Sequence, residues 1–122
     1  MKTGIERINE ERGRQISGEG WTPENDDGYV HRELMHAAHC YANGHTTVNG
    51  VMQWPWSRSW WKPSDDPVRN YEKAGALYLA ERDRLKRSGF IPTATDGDLV
   101  SLMECKAAEM ADRIDEILEN SK

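Results

Sequence analysis

Apolar residues recur along this 122-residue chain at helical spacing, and the first helical segment is marked by a capping box. Thr3 and Glu6 have the spacing with which threonine and glutamate satisfy free amide groups at a helix start. The apolar stripe that follows consists of Ile5, Ile8 and Ile16. Gly18 and Gly20 are typical stop residues. A first helix is therefore predicted between residues 3 and 18, with charged residues on its other faces.

A second helix is predicted from about residue 30 to residue 42, where small alanines favour close packing against another helix. Gly44 fits its end. Residues 43–66 then form a long connection that is rich in tryptophan and proline. Within it, residues 46–51 could form a short hairpin or an irregular turn. A connection of this length in a small domain is usually functional, mobile or anchored by its own side chains.

The third helix has the clearest start, because Asp66 suits the N-cap and Pro67 suits the first helical position. Gly89 and Pro92 are expected to end it. A fourth helix is predicted to start after Thr95 and to reach the C-terminus with an acidic outer side. Four helices without a convincing strand pattern predict an all-α fold, a small bundle of about four helices. The long tryptophan- and proline-rich loop then lies between helices 2 and 3.

Composition indicates one domain, residues 1–122, with a thin core and uneven charge. Hydrophobic residues make up 37% of the chain and its mean hydropathy is −0.85. Formation of a homo-oligomer would bury more apolar area than so small a core allows. Residues 96–122 hold eight acids and three bases, a net charge of −5, so the other residues are neutral overall. This balance argues against duplex DNA as the partner.

The cysteines and the hydropathy profile point to the cytoplasm. Cys40 and Cys105 lack the spacing of a metal or redox motif, so we expect free thiols in a reducing compartment. No apolar run approaches the roughly 18–20 residues of a membrane span. We therefore expect no membrane partner.

The most informative segment holds four of the five tryptophans within residues 54–63, together with two bases and two prolines. Indole faces stack on nucleobases or attract cations, and basic side chains neutralise phosphate. The predicted ligand- or partner-binding residues are Trp54, Trp56, Arg58, Trp60, Trp61, Lys62, Arg69 and Lys73. The alternative is that these tryptophans pack on the protein itself and mainly build a rigid loop.

Two incomplete metal motifs provide the alternative to a binding protein. Glu33 and His36 form a Glu-x-x-His unit of the kind that supplies di-iron sites in helical bundles, but no second unit is present. Neighbouring candidates are Asp26, Asp27, His31 and His39. MazG-type nucleotide pyrophosphohydrolases hold Mg²⁺ with paired acidic motifs on helices, since Mg²⁺ prefers oxygen ligands. The candidates for such a site are Glu33, Glu81, Asp83, Glu109 and Asp112.

Several segments together resemble a widespread family of short phage and prophage proteins. The resemblance covers residues 4–87 and leaves the acidic C-terminal helix, residues 93–122, as an addition. The segments that carry it are Gly4-Ile5-Glu6-Arg7-Ile8, Gly20-Trp21-Thr22-Pro23-Glu24, Trp54-Pro55-Trp56, Trp60-Trp61-Lys62-Pro63, Lys73-Ala74-Gly75-Ala76-Leu77 and Asp83-Arg84-Leu85. Family members usually have histidine where Asn25 stands, and often another near Tyr29, which makes a metal site in this chain less expected.

The resemblance implies a phage or prophage origin and action in the cytoplasm of the bacterial host. Small phage proteins of this kind often bind host proteins or nucleotides, for example to blunt immune signalling. The favoured hypothesis is a non-enzymatic accessory protein without a cofactor that binds a host protein or an anionic nucleotide-type ligand. The alternatives are a MazG-like Mg²⁺-dependent pyrophosphohydrolase and a purely structural phage component.

Overall fold

Four α-helices make up most of the part of the chain that the structure describes, and each has at least 11 residues. The third helix lies at their centre. This computed structural model describes residues 2–18, Asp26, Gly28, and residues 32–87 and 94–121. In chain order the elements are α1 (Gly4–Gly18), α2 (Glu33–Asn43), β1 (Thr47–Val48), β2 (Val51–Met52), a 3-10 turn (Arg58–Trp60), α3 (Pro67–Arg87) and α4 (Ala94–Asn120). Helix α3 packs against α1, α2 and α4. The all-α prediction is confirmed.

The predicted helix ends are present wherever the structure describes them. At the start of α1, Thr3 N donates to Glu6 Oε1 over 3.0 Å, which completes the predicted capping box. At the start of α3, Asp66 Oδ1 accepts a hydrogen bond from Val68 N at 2.9 Å. Gly44 ends α2 with a φ of 79°, a left-handed conformation that favours glycine. The exception is the start of helix 2, predicted at about residue 30: α2 begins at Glu33, because Arg32 has a left-handed conformation with a φ of 67°. The predicted stops at Gly20, Gly89 and Pro92 lie outside the described residues.

The short hairpin is also confirmed. β1 and β2 pair antiparallel, with Thr47 opposite Met52. The turn between them uses Asn49 and Gly50 at positive φ, 52° and 79°. Two consecutive residues at positive φ are typical of the tightest hairpin turn, whose twist matches that of the strands.

The buried side of α1 differs from the predicted isoleucine stripe. Ile8 is fully buried, but Ile5 is 44% exposed. The prediction was wrong at Ile5 because α1 is rotated about Ile8, whose side chain lies against Gly75 of α3. This rotation buries Glu11 and Gln15, which an apolar pattern assigns to solvent.

The core extends along α3, where residues 74–81 are all buried. A helix buried around its whole circumference is expected at the centre of a bundle. From α4, Met103, Met110 and Ile114 of the predicted stripe reach the core, and Leu99 and Ile117 pack partly against it. The acidic outer side of α4 is confirmed, since its exposed residues include Glu104, Asp112 and Glu116.

Both cysteines are free thiols, as predicted. Cys40 is buried in α2, and burial raises the pKa of its thiol to about 11. Cys105 is exposed on α4. Among the described helices, none combines the length and the apolarity that crossing a membrane requires.

Close contact between α1 and α4 depends on Gly4, because a Cβ there would clash with the backbone of Ala111. We expect Gly4→Ala to lower the free energy of unfolding by about 1–3 kcal/mol, as overpacking does elsewhere. Gly13 is the matched control in the same helix, since a Cβ there meets nothing within 4 Å. Gly13→Ala should stabilise the protein by roughly 0.5–1 kcal/mol in urea denaturation. Equal effects of the two substitutions would contradict the close packing of α1 on α4.

Candidate ligand-binding site

The tryptophan loop, residues 54–63, folds back onto α2 through aromatic packing. Trp54 is 8% exposed, and its ring Nε1 donates to Ser57 O over 3.0 Å. The ring centroid of Trp54 lies 5.8 Å from that of Tyr41 and 5.1 Å from that of Trp61. Tilted and edge-on aromatic pairs at such distances add to the free energy of burial. These side chains therefore hold the loop against the helical body.

Trp60 differs from the other three tryptophans of the loop, because half of its surface (50%) is exposed. It lies on the 3-10 turn, whose start is capped by the Ser57 side chain. Trp56, the aromatic neighbour of Trp60, has its ring centroid 6.2 Å away. Trp60 thus combines a fixed backbone with an indole surface that a ligand can reach.

Hydrogen bonds attach the end of the tryptophan loop to α2 and α3. Lys62 N donates to the Tyr41 hydroxyl over 3.3 Å, and Lys73 Nζ donates to Lys62 O over 2.7 Å. Ser64 and Asn70 exchange two further hydrogen bonds, each 2.8 Å long. A loop held in this way loses little conformational entropy when a ligand binds to it.

A cavity of about 330 Å³ opens between α1, α2, α3 and this loop, and we name it the aromatic cavity. Its lining residues are Glu11, Arg14, Gln15, Gly18, Tyr41, Trp60, Lys62 and Lys73. Sites for small molecules are typically clefts of about 300–1,000 Å³ with aromatic walls and a few polar groups. The cavity meets that description at the lower end of the size range.

The charge of the aromatic cavity is positive, with three bases and one acid among its lining residues. The acid is Glu11, whose Oε1 lies 2.7 Å from Arg14 Nε and 2.7 Å from Arg69 Nη2. Burial alone would raise the pKa of Glu11, but the hydrogen bonds from these two arginines outweigh burial and lower it. Glu11 therefore stays ionised and balances the arginines. Lys62 and Lys73 then give the cavity its positive sign in a chain whose net charge is −5.

The structure brings together three of the eight residues that the sequence suggested for ligand binding. Trp60, Lys62 and Lys73 line the aromatic cavity. Arg69 lies behind it, paired with Glu11 and Glu72 at 2.7 and 2.9 Å. The remaining four, Trp54, Trp56, Arg58 and Trp61, do not line the cavity, and Arg58 is exposed.

Five lining residues were not among the predicted ligand-binding residues: Glu11, Arg14, Gln15, Gly18 and Tyr41. Glu11 and Gln15 lie one and two helical turns after Ile8, on the same side of α1. Gln15 Nε2 donates to Glu11 Oε2 over 3.1 Å, so the two polar groups satisfy each other in part. The apolar pattern of α1 gave no signal for these two residues, because it assigns polar side chains to solvent.

The metal-binding alternative is not assembled by the described residues, where no three His, Cys, Asp or Glu side chains lie close enough to hold a metal ion. Glu81 is fully buried and makes a two-pronged ion pair with Arg84, at 2.6 and 3.1 Å. Glu109 pairs with Arg113 at 3.2 Å on the surface of α4. Asp112 is exposed on α4, and Glu33 begins α2. Asp83 pairs with Arg82 at 2.9 Å.

The histidine candidates are likewise dispersed. His39 Nδ1 forms a short hydrogen bond with the Tyr78 hydroxyl. Burial lowers the pKa of His39, and the nearby Lys106 and His36 lower it further, which favours a neutral imidazole. Asp26 is buried against α1 and pairs with Arg12 at 3.0 Å. Asp27 and His31 lie outside the described residues.

Comparison of the chain with protein-family models, curated proteins and solved structures finds no match. The resemblance to phage proteins therefore remains a prediction from the sequence motifs alone. Any functional conclusion depends on the geometry of the aromatic cavity.

Proposed function

We propose that the protein is a non-enzymatic binding protein that captures an anionic nucleotide-type ligand in the aromatic cavity. One observation carries this proposal: Trp60 keeps half of its indole surface exposed beside Lys62 and Lys73, whereas the other loop tryptophans pack on one another or on Tyr41. An exposed indole on a fixed backbone offers a stacking face for a nucleobase.

The chemistry of the other lining groups supports the same class of ligand. Lys62 and Lys73 supply ammonium groups for a phosphate, and a positive cavity attracts an anion despite the acidic chain.

The biological role that we propose rests on the sequence resemblance. A phage or prophage protein that sequesters a nucleotide in the host cytoplasm would act as an accessory factor, for instance against a nucleotide-based immune signal. Sequestration requires binding alone. It therefore fits a site in which the one acid among the lining residues, Glu11, is paired with arginines.

Replacement of Trp60 tests the proposal. We expect Trp60→Ala to raise the Kd for AMP about 10- to 100-fold, because stacking of one base contributes about 1–3 kcal/mol. Isothermal titration calorimetry with AMP, GMP, CMP and UMP measures this change and identifies the preferred base. Trp60→Phe, which keeps an aromatic face, should lose less affinity than Trp60→Ala.

The matched control for this titration is Arg58→Ala. Arg58 is exposed on the same 3-10 turn but lines no part of the aromatic cavity. Its replacement should leave the Kd within about twofold, well below the roughly tenfold change that 1.4 kcal/mol produces. The proposal would be refuted if the wild-type protein bound none of the four monophosphates. It would also be refuted if the Trp60→Ala variant bound them as tightly as the wild type.

Capture of a host protein is the second candidate, and the hairpin favours it. Val51 and Met52 of β2 are 58% and 59% exposed, although successive strand residues point to opposite faces. Apolar groups exposed on both faces suit a protein partner or a second copy of this chain. This candidate would be favoured if a host protein bound the wild type but not the Met52→Ser variant, and if no nucleotide bound. Sedimentation analysis tests the predicted homo-oligomer.

A further inference from the structure

A second cavity, of about 440 Å³, adjoins the aromatic cavity, and we name it the arginine cavity. Its lining residues are Lys2, Arg7, Glu10, Glu11, Arg14, Arg69 and Glu72. The two cavities share Glu11 and Arg14, which form a common wall. The two cavities therefore lie side by side along α1.

The lining of the arginine cavity consists of four bases and three acids, a net charge of +1. Arg14 and Arg69 both contact Glu11, each at 2.7 Å. Arg69 and Arg7 both contact Glu72, at 2.9 and 3.3 Å. Three guanidinium groups thus share two carboxylates that are almost completely buried. Lys2 and Glu10 form the remaining ion pair, at 2.7 Å, in which the two charges cancel.

Arg7 supplies the group with which an anion would interact. Its Nε is buried and has no hydrogen-bond partner among the described residues. Its Nη1 reaches Glu72 over only a long contact of 3.3 Å, and its side chain is 31% exposed. The exposed part of this guanidinium lines the cavity, so an anion there can reach it, whereas the buried Nε is out of reach. Guanidinium groups match the geometry of phosphate oxygens better than ammonium groups do.

We propose that the arginine cavity is a second phosphate subsite, served by Arg7 together with Arg14 and Arg69. The ligand of this protein is then a nucleotide with more than one phosphate group. Its base stacks on Trp60, its first phosphate lies near Lys62 and Lys73, and its further phosphates pass the wall of Glu11 and Arg14. This inference rests on the proposed function, because it extends the same ligand.

The test is a calorimetric titration with AMP, ADP and ATP in magnesium-free buffer at constant ionic strength. We expect the affinity to rise at least tenfold from AMP to ATP. Arg7→Gln should weaken ATP binding about tenfold while it changes AMP binding less than twofold. The control is Arg82→Gln, because Arg82 has a similar exposure, 29%, and lines neither cavity. Arg7→Lys, which keeps the charge but lacks the forked guanidinium, should resemble Arg7→Gln and serves if that variant does not fold.

Inorganic tripolyphosphate, which has no ring, separates this inference from the proposed function. Its binding should depend on Arg7 and be unaffected by Trp60→Ala. If AMP and ATP bind equally and Arg7→Gln changes neither, the second subsite is overturned and the proposed function stands. If no nucleotide binds but tripolyphosphate binds through Arg7, the proposed function fails and the phosphate subsite stands. If none of the four compounds binds, both are overturned.

Discussion

Replacement of Glu81 by glutamine is expected to lower the free energy of unfolding by about 3–5 kcal/mol, the loss typical of a buried ion pair with one partner removed. Glu81 is fully buried, and the Arg84 side chain is 6% exposed. In Glu81→Gln the Arg84 charge stays in a site that excludes water but no longer has the carboxylate that balances it. Urea denaturation of the two proteins measures the difference. Since small domains are stable by only about 5–15 kcal/mol, the variant should be near its folding limit at 37 °C.

Two further variants show whether burial is the cause of that loss. Glu109→Gln removes a carboxylate from an ion pair whose partners are about half exposed, and it should change stability by less than about 1 kcal/mol. The double variant Glu81→Leu/Arg84→Met removes both charges and should recover most of the stability. A loss in Glu81→Gln no greater than that in Glu109→Gln would contradict the ion-pair explanation. It would reopen the question of why this carboxylate is buried.

Replacement of Trp54 by alanine is expected to have an effect of similar size, about 3–5 kcal/mol, because it leaves a large cavity in the aromatic cluster. Trp54 is 8% exposed and its ring contacts those of Tyr41, Trp56 and Trp61. The variant also loses the hydrogen bond from Nε1 to the Ser57 carbonyl. Thermal and urea unfolding, followed by circular dichroism, measure the loss.

Trp60→Ala is the control for Trp54→Ala, since it removes the same side chain from the same loop at a half-exposed position. It should change stability by less than about 1 kcal/mol, since little apolar area returns to water. The two substitutions therefore separate the loop tryptophan that maintains the fold from the one assigned to the ligand. Equal destabilisation would mean that Trp60 is also structural, and the proposed stacking face would lose its basis.

The sequence predicted the parts of the fold that short-range chemistry determines. The Thr3–Glu6 capping box and the Asp66–Pro67 start of α3 form because each needs only neighbouring side chains and backbone groups. The turn at Asn49 and Gly50 is similar, because positive φ is a local preference of those residue types. The order and type of the helices followed from these signals and from apolar periodicity.

The candidate site was only partly predictable, because its geometry depends on contacts between segments that are distant in the chain. The buried Glu11 pairs with Arg69, which lies on a different helix. Periodicity counts such a glutamate as exposed, so α1 was assigned the wrong buried side. The tryptophan loop was recognised as a unit, but its composition does not distinguish buried Trp54 from half-exposed Trp60. The difference in exposure arises because the ring of Tyr41 packs against that of Trp54. Likewise, the spacing of the acids along the helices did not reveal that Glu81 forms an ion pair with Arg84.

The walls of the aromatic cavity come from α1, α2, α3 and the tryptophan loop, so no part of it survives when the helices separate. A ligand that contacts Gln15, Trp60 and Lys73 at once acts as a non-covalent cross-link between the first half of the chain and its centre. Saturation at 100 times Kd would then add about 2.7 kcal/mol to the stability of the whole bundle. Hydrogen exchange of the buried amides of α3 that do not line the cavity should also slow as the ligand concentration rises.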